Sequence, residues 1–322
     1  MTENLEVSYT RYIRELEKAP QYDAYADTKV LTMGPVMELT TMQKKSIGPP
    51  IQKIDKDHYF DLRTGEVFEY EHGETRADSM ESIRRTLAHI RALVNTNVTE
   101  AENCRWVTLT YRENMTDTKR LYEDFRRFWL RFVYWCKKNG HLIPEYITVQ
   151  EPQGRGAWHV HAFFIWPGKA PYISNDEVMS VLWGHGFTKT KALNDVDNVG
   201  AYFSAYLSDM PLEDVQKLPP EDIARVVDGC EIVVKEFSNE QDQTKEKRFI
   251  KGARLKLYPA GMNIVRKTKG INPPTVERMT YAEAKRKVSS AKLTFSRSYE
   301  VLDDSGDVCN TLTKSYYNSN RK

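Results

Sequence analysis

The chain has 322 residues, and its 47 basic and 45 acidic side chains give a formal net charge of +2. Apolar residues make up 40% and charged residues 29% of the chain, which excludes a collagen-like, a mucin-like and a wholly disordered protein. This length predicts one large domain or two ordinary ones, with enough chain to bury a core without disulfides.

The cysteines and the N-terminus favour a cytoplasmic protein. The cysteines are spread too widely for a zinc-ribbon pair and are too few for the disulfide framework of a secreted protein. The first ten residues, MTENLEVSYT, are charged and lack the apolar segment of a signal peptide. We therefore expect reduced thiols at Cys104, Cys136, Cys230 and Cys309.

Several elements are predicted before the middle of the chain. Residues 1–57 are polar, contain prolines and are expected to be irregular. Aromatic and aliphatic residues on both sides of a Thr-Gly pair predict a β-hairpin over 58–72. Apolar residues at helical spacing predict a helix over 79–94, and the alternating sequence WVTLTY predicts a strand over 106–111.

A long amphipathic helix is predicted over 117–140. Asp117 is a favourable N-cap, and Gly140 is a favourable residue for the C-terminal end. Arginines and lysines line the exposed face of this helix, among them Arg126 and Arg127.

The residues after this helix predict a second β-hairpin and three further elements. The hairpin has strands at 144–152 and 157–166, and the sequence PQGRG between them is a tight turn. The further elements are a helix over 175–184, a strand over 187–193 and a helix over 195–210. This order predicts an α+β fold with helices packed on a mainly antiparallel sheet.

The small net charge results from the cancellation of segments of opposite charge. Residues 1–100 carry a balance of −4 and residues 195–240 a balance of −8, whereas residues 241–297 carry +11. A basic segment of this size is a plausible surface for a phosphate backbone. The alternative is a solvated surface whose counter-charge lies on the acidic segment before it.

A pair of histidines in the second hairpin is a candidate metal site. His159 and His161 lie two residues apart in a strand, so their side chains point to the same face. The hairpin brings Glu151 beside His159. Two imidazoles and one carboxylate form a site for a divalent ion, and these ligands admit Mn²⁺ or Mg²⁺. The alternative is that both histidines lie on a solvated face of the sheet.

Two tyrosines in the last predicted helix are candidate nucleophiles. Tyr202 and Tyr206 lie four residues apart and therefore on one face of the helix. A tyrosine can act as a covalent nucleophile when a metal ion or a cation overcomes its pKa of about 10. The alternative is that the pair only packs against the protein core.

Three motifs resemble those of the HUH endonuclease superfamily, and in particular the rolling-circle replication initiator (Rep) proteins of Gram-positive plasmids, phages and integrative elements. WVTLTY at 106–111 is similar to the first motif, HVHAFF at 159–164 to the second, and AYFSAYL at 201–207 to the third. The resemblance is strong over 79–210. Residues 251–274 also resemble these Rep proteins.

The resemblance implies a fold and a domain organisation. The expected fold is the HUH nuclease fold, in which helices flank a central antiparallel sheet of about five strands, a palm of the ferredoxin or RRM type. We expect an N-terminal extension over 1–75 and an endonuclease domain over 76–210. A basic C-terminal segment over 211–322 is expected to pack on the nuclease domain and to bind DNA.

The resemblance also implies an activity. Glu151, His159 and His161 would be the metal ligands, and Tyr202 or Tyr206 would attack a phosphate of single-stranded origin DNA. The products would be a 5′-phosphotyrosyl enzyme, which is a covalent protein–DNA linkage, and a 3′-OH that primes DNA replication. The enzyme would later rejoin the strands, so it is both an endonuclease and a nucleotidyltransferase of a mobile element.

The sequence departs from the family pattern at the lysines. Relatives often have a lysine three residues after each tyrosine, where this chain has Ala205 and Asp209. Lys189 and Lys191, in the preceding strand, are candidates for the missing cation. The candidate DNA-binding residues are Lys189, Lys191, Arg126, Arg127, Lys251, Arg254 and Lys256.

Partners and alternative functions follow from what the sequence lacks and from the shared chemistry. The chain has no phosphate-binding loop of the type G-x4-G-K-[ST], so duplex unwinding would need a host helicase, together with the host replication machinery. An HUH transposase or a conjugative relaxase would use the same chemistry. A non-catalytic module that binds single-stranded nucleic acid is the alternative from another class.

Overall fold

The structure, a computed structural model, describes residues 12–45, 51–62, 64–70, 80–153, 156–193, 198–227, 232–238, 244–259, 262–303 and 305–321. The chain divides into two compact units. The first unit contains Met1–Glu71 and Pro274–Lys322, and the second contains His72–Pro273. The second unit is thus inserted into the sequence of the first.

An antiparallel sheet forms most of the first unit. Its strands, numbered along the whole chain, are β1 (Tyr12–Leu16), β2 (Asp27–Met33), β3 (Val36–Met42), β15 (Thr275–Thr280), β16 (Lys292–Leu302) and β17 (Val308–Asn318). Their order across the sheet is β1-β16-β17-β3-β2-β15. Strands from both ends of the chain therefore alternate within one sheet.

One face of this sheet is buried against a short helix. Val30, Leu39 and Tyr317 pack with Ala284 and Val288, which lie in and just after helix α7 (Tyr281–Lys287). Alternation along each strand gives these side chains a common face. A capping box between Thr280 and Glu283 fixes the start of α7.

The first unit also contains a small antiparallel sheet of β4 (Ile51–Lys53), β5 (His58–Asp61) and β6 (Val67–Glu69). The pairing of β5 with β6 confirms the hairpin predicted over 58–72 in its described part. The expectation that 1–57 is irregular is wrong for the described residues. A hairpin of β2 and β3 turns at Gly34, whose φ of 58° is unfavourable for other residues.

The second unit is built on an antiparallel sheet. Its strands are β7 (Cys104–Thr110), β8 (Glu145–Pro152), β9 (Trp158–Ile165), β10 (Thr188–Ala192) and β14 (Val265–Lys267). Their order is β10-β7-β9-β8-β14, so β9 is central and β10 lies at an edge. The predicted hairpin of 144–152 and 157–166 is confirmed as β8 and β9.

Shorter elements complete the second unit. The helices are α1 (Met80–Asn97), α2 (Thr118–Lys138), α3 (Ser180–Trp183), α4 (Val199–Ser208), α5 (Leu212–Val215) and α6 (Pro220–Val227). A small sheet has the order β11 (Met210–Pro211), β13 (Thr244–Ile250), β12 (Ile232–Ser238). Short 3₁₀ helices span Ala101–Asn103 and Ala253–Leu257, and a π-helical turn spans Asn175–Met179.

Helix α2 covers one face of the central sheet. Its N-cap, Asp117, accepts hydrogen bonds from the backbone N–H groups of Lys119 and Arg120. Phe128 and Phe132 are fully buried and lie against Phe164 of β9. Because side chains alternate along β9, α2 covers the face opposite to that of the two histidines.

The α+β class and the antiparallel sheets are confirmed, whereas the HUH palm stays a prediction. The compact units also differ from the three segments expected from the sequence. Residues 274–322 group with the N-terminal segment because β15 pairs with β2, and β17 pairs with β3. Residues 211–273 group with the central sheet, to which they add β14.

Two further expectations concern thiols and membranes. Cys104, Cys136 and Cys309 are free thiols, and Cys230 lies outside the described residues. Among the helices that the structure describes, none combines the length and the apolar composition needed to cross a bilayer.

Replacement of a buried α2 phenylalanine should destabilise the second unit. Phe128→Ala removes a ring that packs between Phe132, Phe164 and Trp183, so we expect a loss of about 3–5 kcal/mol in the free energy of unfolding. Leu130→Ala, at an exposed position of the same helix, should cost less than about 0.5 kcal/mol. Urea denaturation followed by circular dichroism measures both values, and similar losses would contradict the burial of this face.

Candidate metal centre

Strand register brings the predicted metal ligands together. Glu151 of β8 is directly opposite His159 of β9, and Val149 is opposite His161. The side chains of Glu151, His159 and His161 therefore share one face of the sheet. Their ligand atoms all lie within 4.8 Å of one another. Within the described residues, they form the group that could hold a metal ion.

The chemistry of these three side chains fits a divalent ion. All three are buried, and burial lowers the pKa of His161 to about 3, so its imidazole is neutral at physiological pH. A neutral imidazole can donate its lone pair to a metal, and a carboxylate adds negative charge. Glu151, His159 and His161 are thus a candidate metal-binding triad, and the donor atoms do not select one ion.

Two neighbouring side chains orient the imidazoles. Thr108 Oγ1 lies 3.2 Å from Nδ1 of His161, and Gln153 Nε2 lies 3.0 Å from Nδ1 of His159. Such contacts hold a ring in one orientation and direct its Nε2 atom towards the site. His161 Nε2 contacts the carboxylate of Glu151. Both Nε2 atoms are therefore the available metal ligands.

Arg254 takes part in this site, a position that differs from its predicted one. The side chain is only 5% exposed, and its Nη1 atom forms an ion pair with Glu151. Nη1 also donates to the carbonyl of Pro152 at 3.2 Å, and Nε donates to the carbonyl of Asp209 at 3.3 Å. A guanidinium that is buried in this way is not placed to contact DNA directly.

The location of Arg254 has a simple structural cause. It lies in the 3₁₀ helix Ala253–Leu257, which Tyr258 holds against β8 by donating a hydrogen bond to the carbonyl of Gln150 at 2.9 Å. Lys251 is exposed and Lys256 is half-buried. The signal available in the sequence is that Arg254 stands between the apolar residues Ala253 and Leu255.

Helix α4 contains the two tyrosines and packs on the face of the metal site. Phe203 is fully buried, and its ring centre lies 6.0 Å from that of His161 and 4.9 Å from that of Phe163. Helical periodicity places positions 202 and 206 on one flank of the helix beside Phe203. The side chains of Tyr202, Ala205 and Tyr206 lie outside the described part of the structure.

A glycine fixes the start of α4 against α1. The N–H of Gly200 donates to Asn95 Oδ1 at 2.8 Å, and Asn95 Nδ2 donates to Asn198 Oδ1 at 2.9 Å. A Cβ atom at position 200 would lie 2.5 Å from the carbonyl oxygen of Arg91. Only glycine permits this close approach, which sets the position of the helix that carries the tyrosines.

The predicted DNA-binding lysines and arginines lie on two sides of the sheet. Lys189 is opposite Thr108, which is opposite His161, so Lys189 and the metal ligands share a face. Lys191 follows two residues later on the same face, and both lysines are exposed. Arg126 and Arg127 are exposed on α2, on the other side of the sheet.

The fold and the site define an α+β protein with a buried two-histidine, one-carboxylate site. Residues 104–211 match the ORF2 family of replication-associated proteins. The match covers about one third of the chain and includes the triad and α4. The resemblance to replication initiators is thereby confirmed for this segment, as similarity to replication-associated proteins. The comparisons with curated proteins and with solved structures give no match.

Removal of Arg254 should destabilise the metal-free protein. Arg254→Met leaves the buried carboxylate of Glu151 without its positive partner, which costs about 3–5 kcal/mol. Because a divalent ion restores positive charge, Mn²⁺ should raise the melting temperature of this variant more than that of the wild type. Thermal unfolding with EDTA and with Mn²⁺ measures both effects. Lys256→Met is the control, and equal melting temperatures of the two variants would exclude this role.

Proposed function

We propose that this protein is a rolling-circle replication initiator that nicks single-stranded origin DNA by metal-assisted tyrosine transesterification. The observation that carries the proposal is the common location of the triad and α4. Glu151, His159 and His161 lie on the sheet face on which α4 packs, and both lie within the segment that resembles replication-associated proteins.

Glu151, His159 and His161 would hold one divalent ion, Mn²⁺ or Mg²⁺. When bound there, the ion supplies Lewis-acid stabilisation of the negative charge that develops on the scissile phosphate. The three ligands leave coordination positions open, as phosphate binding requires. Burial of the ligands keeps water from competing with these electrostatic interactions.

Tyr202 or Tyr206 would be the nucleophile. The phenolic oxygen forms a bond to the 5′-phosphate as the bond between phosphorus and the 3′ oxygen breaks. The tyrosine loses its proton, and the leaving 3′ oxygen gains one to become the 3′-OH that primes synthesis. One phosphodiester replaces another, so the reaction needs no ATP. The reverse reaction rejoins the strands, and a second tyrosine on the same face permits a second transfer.

Arg254 offers an explanation for the missing family lysines. Asp209 stands where relatives often have a lysine, and its backbone carbonyl accepts a hydrogen bond from the buried guanidinium. We infer that Arg254 holds Glu151 in place. Lys189 and Lys191 supply exposed positive charge on the same face. The positive charge near the nucleophile thus comes from residues outside the tyrosine helix.

The nucleophile can be identified by trapping the covalent intermediate. We expect an SDS-stable adduct when the protein and Mn²⁺ are incubated with labelled single-stranded oligonucleotides that tile the DNA around its gene. The double variant Tyr202→Phe/Tyr206→Phe should form none, because both phenolic oxygens are absent, and the single variants assign the first nucleophile. Tyr134→Phe, at an exposed position of α2, is the control. An adduct with the double variant would place the nucleophile elsewhere.

Metal binding can be tested separately from cleavage. His161→Ala removes one of three ligands and should weaken Mn²⁺ binding at least about tenfold, measured by isothermal titration calorimetry. His141→Ala, in the loop after α2, should bind Mn²⁺ like the wild type. Adduct formation should fall with Mn²⁺ binding in the first variant only. Unchanged Mn²⁺ affinity of His161→Ala would remove the metal assignment.

A further inference from the structure

We propose that Phe187 is a stacking platform for an unpaired base of the DNA strand whose phosphate reaches the metal site. This inference rests on the proposed function, because it takes single-stranded DNA as the ligand. It adds a subsite that reads the flat face of a base, next to a site that acts on phosphate. Three features of the second unit support it: strand register, exposure and charge.

Strand register places Phe187 in line with the metal ligands. Glu151 is opposite His159, and His159 is opposite Thr110. Thr110 in turn donates hydrogen bonds from its N–H and its Oγ1 to the carbonyl of Phe187, at 2.9 and 2.5 Å. Neighbouring strands are about 4.8 Å apart, so position 187 lies roughly 10 Å from His159 across the sheet. A short stretch of extended strand can cover that distance.

The side chain of Phe187 is exposed, unlike the other phenylalanines on this sheet. Phe187 is 66% exposed, whereas Phe163, Phe164 and Phe203 are fully buried in the core. It precedes the edge strand β10, and its ring makes no aromatic contact with the other described residues of the unit. A large apolar ring in this position presents an open face to a ligand.

The charge around Phe187 favours a polyanion over an apolar protein partner. Lys189 and Lys191 follow at two-residue intervals on the same face, and both are exposed. Strand β10 itself, with the sequence TKTKA, has no acidic residue. Aromatic rings combined with a basic track are the usual means of binding single strands without reading their sequence. We therefore assign the ring to a base and the lysines to the backbone.

Binding of a short single strand tests the platform without any cleavage. The probe is fluorescein-labelled dodecathymidylate, titrated in EDTA and followed by fluorescence anisotropy. Loss of one stacked base corresponds to about a five- to hundredfold weaker affinity, which we expect for Phe187→Ala. Phe187→Trp should bind like the wild type. Tyr134→Ala removes an equally exposed ring from the other side of the sheet and should leave the affinity unchanged.

Salt dependence separates stacking from attraction of the phosphates. Lys189→Ala should reduce the slope of log affinity against log salt by about 0.7, the value for one phosphate contact on a single strand. Phe187→Ala should lower the affinity at every salt concentration without changing that slope. A change of slope in Phe187→Ala would mean that the substitution disturbs the lysines, and it would overturn the stacking role.

Photocrosslinking of the wild-type protein gives a second test that does not depend on a variant. A dodecamer that carries 5-iododeoxyuridine should crosslink to the peptide containing Phe187. An affinity of Phe187→Ala within twofold of the wild type, or crosslinks confined to other peptides, would overturn the platform. If the platform holds but no covalent adduct forms on any origin strand, the proposed nicking fails and single-strand binding remains. If adducts form but both binding tests fail, only the platform is lost.

Discussion

The ion pair between Arg254 and Glu151 is the interaction on which the organisation of the second unit depends. A buried carboxylate beside two imidazoles requires a positive charge, and the guanidinium provides it from a segment about a hundred residues away. The same guanidinium binds the carbonyl of Asp209, at the end of the tyrosine helix. One side chain thus connects the metal ligands, the 3₁₀ helix and the helix proposed to carry the nucleophile. Any displacement of one of these parts would leave a buried charge without its partner.

The metal triad was predictable because it depends on local structure. Alternation along a strand and a tight hairpin suffice to bring Glu151, His159 and His161 together, and both can be read from about twenty residues. Arg254 was not predictable in its role, because its neighbours in the sequence are basic and its burial depends on tertiary packing. Composition correctly indicates a basic segment, but it cannot tell an arginine that meets solvent from one that neutralises a carboxylate.

The same contrast between local and distant pairing explains the N-terminal residues. The strand β3 pairs with β2 through a short turn and with β17 near the other end of the chain. Its buried residues, Val36, Leu39 and Thr41, do not alternate strictly and include a polar side chain, so the strand pattern in the sequence is weak. Polar residues and prolines therefore suggested an irregular segment, although the buried face of Val30 and Leu39 belongs to a sheet. Pairing over such separations has no signal in a single sequence.

The insertion of one unit within the other has a consequence for protein synthesis. Residues 72–273 leave the ribosome before strands β15 to β17, which complete the sheet of β1, β2 and β3. The second unit can fold during translation, while the N-terminal strands still have unpaired edges. Those edges stay exposed for the time that about 200 residues take to be translated. The cell therefore obtains the site-bearing unit first, and the N-terminal strands depend on chaperones or on rapid elongation to avoid pairing with other chains.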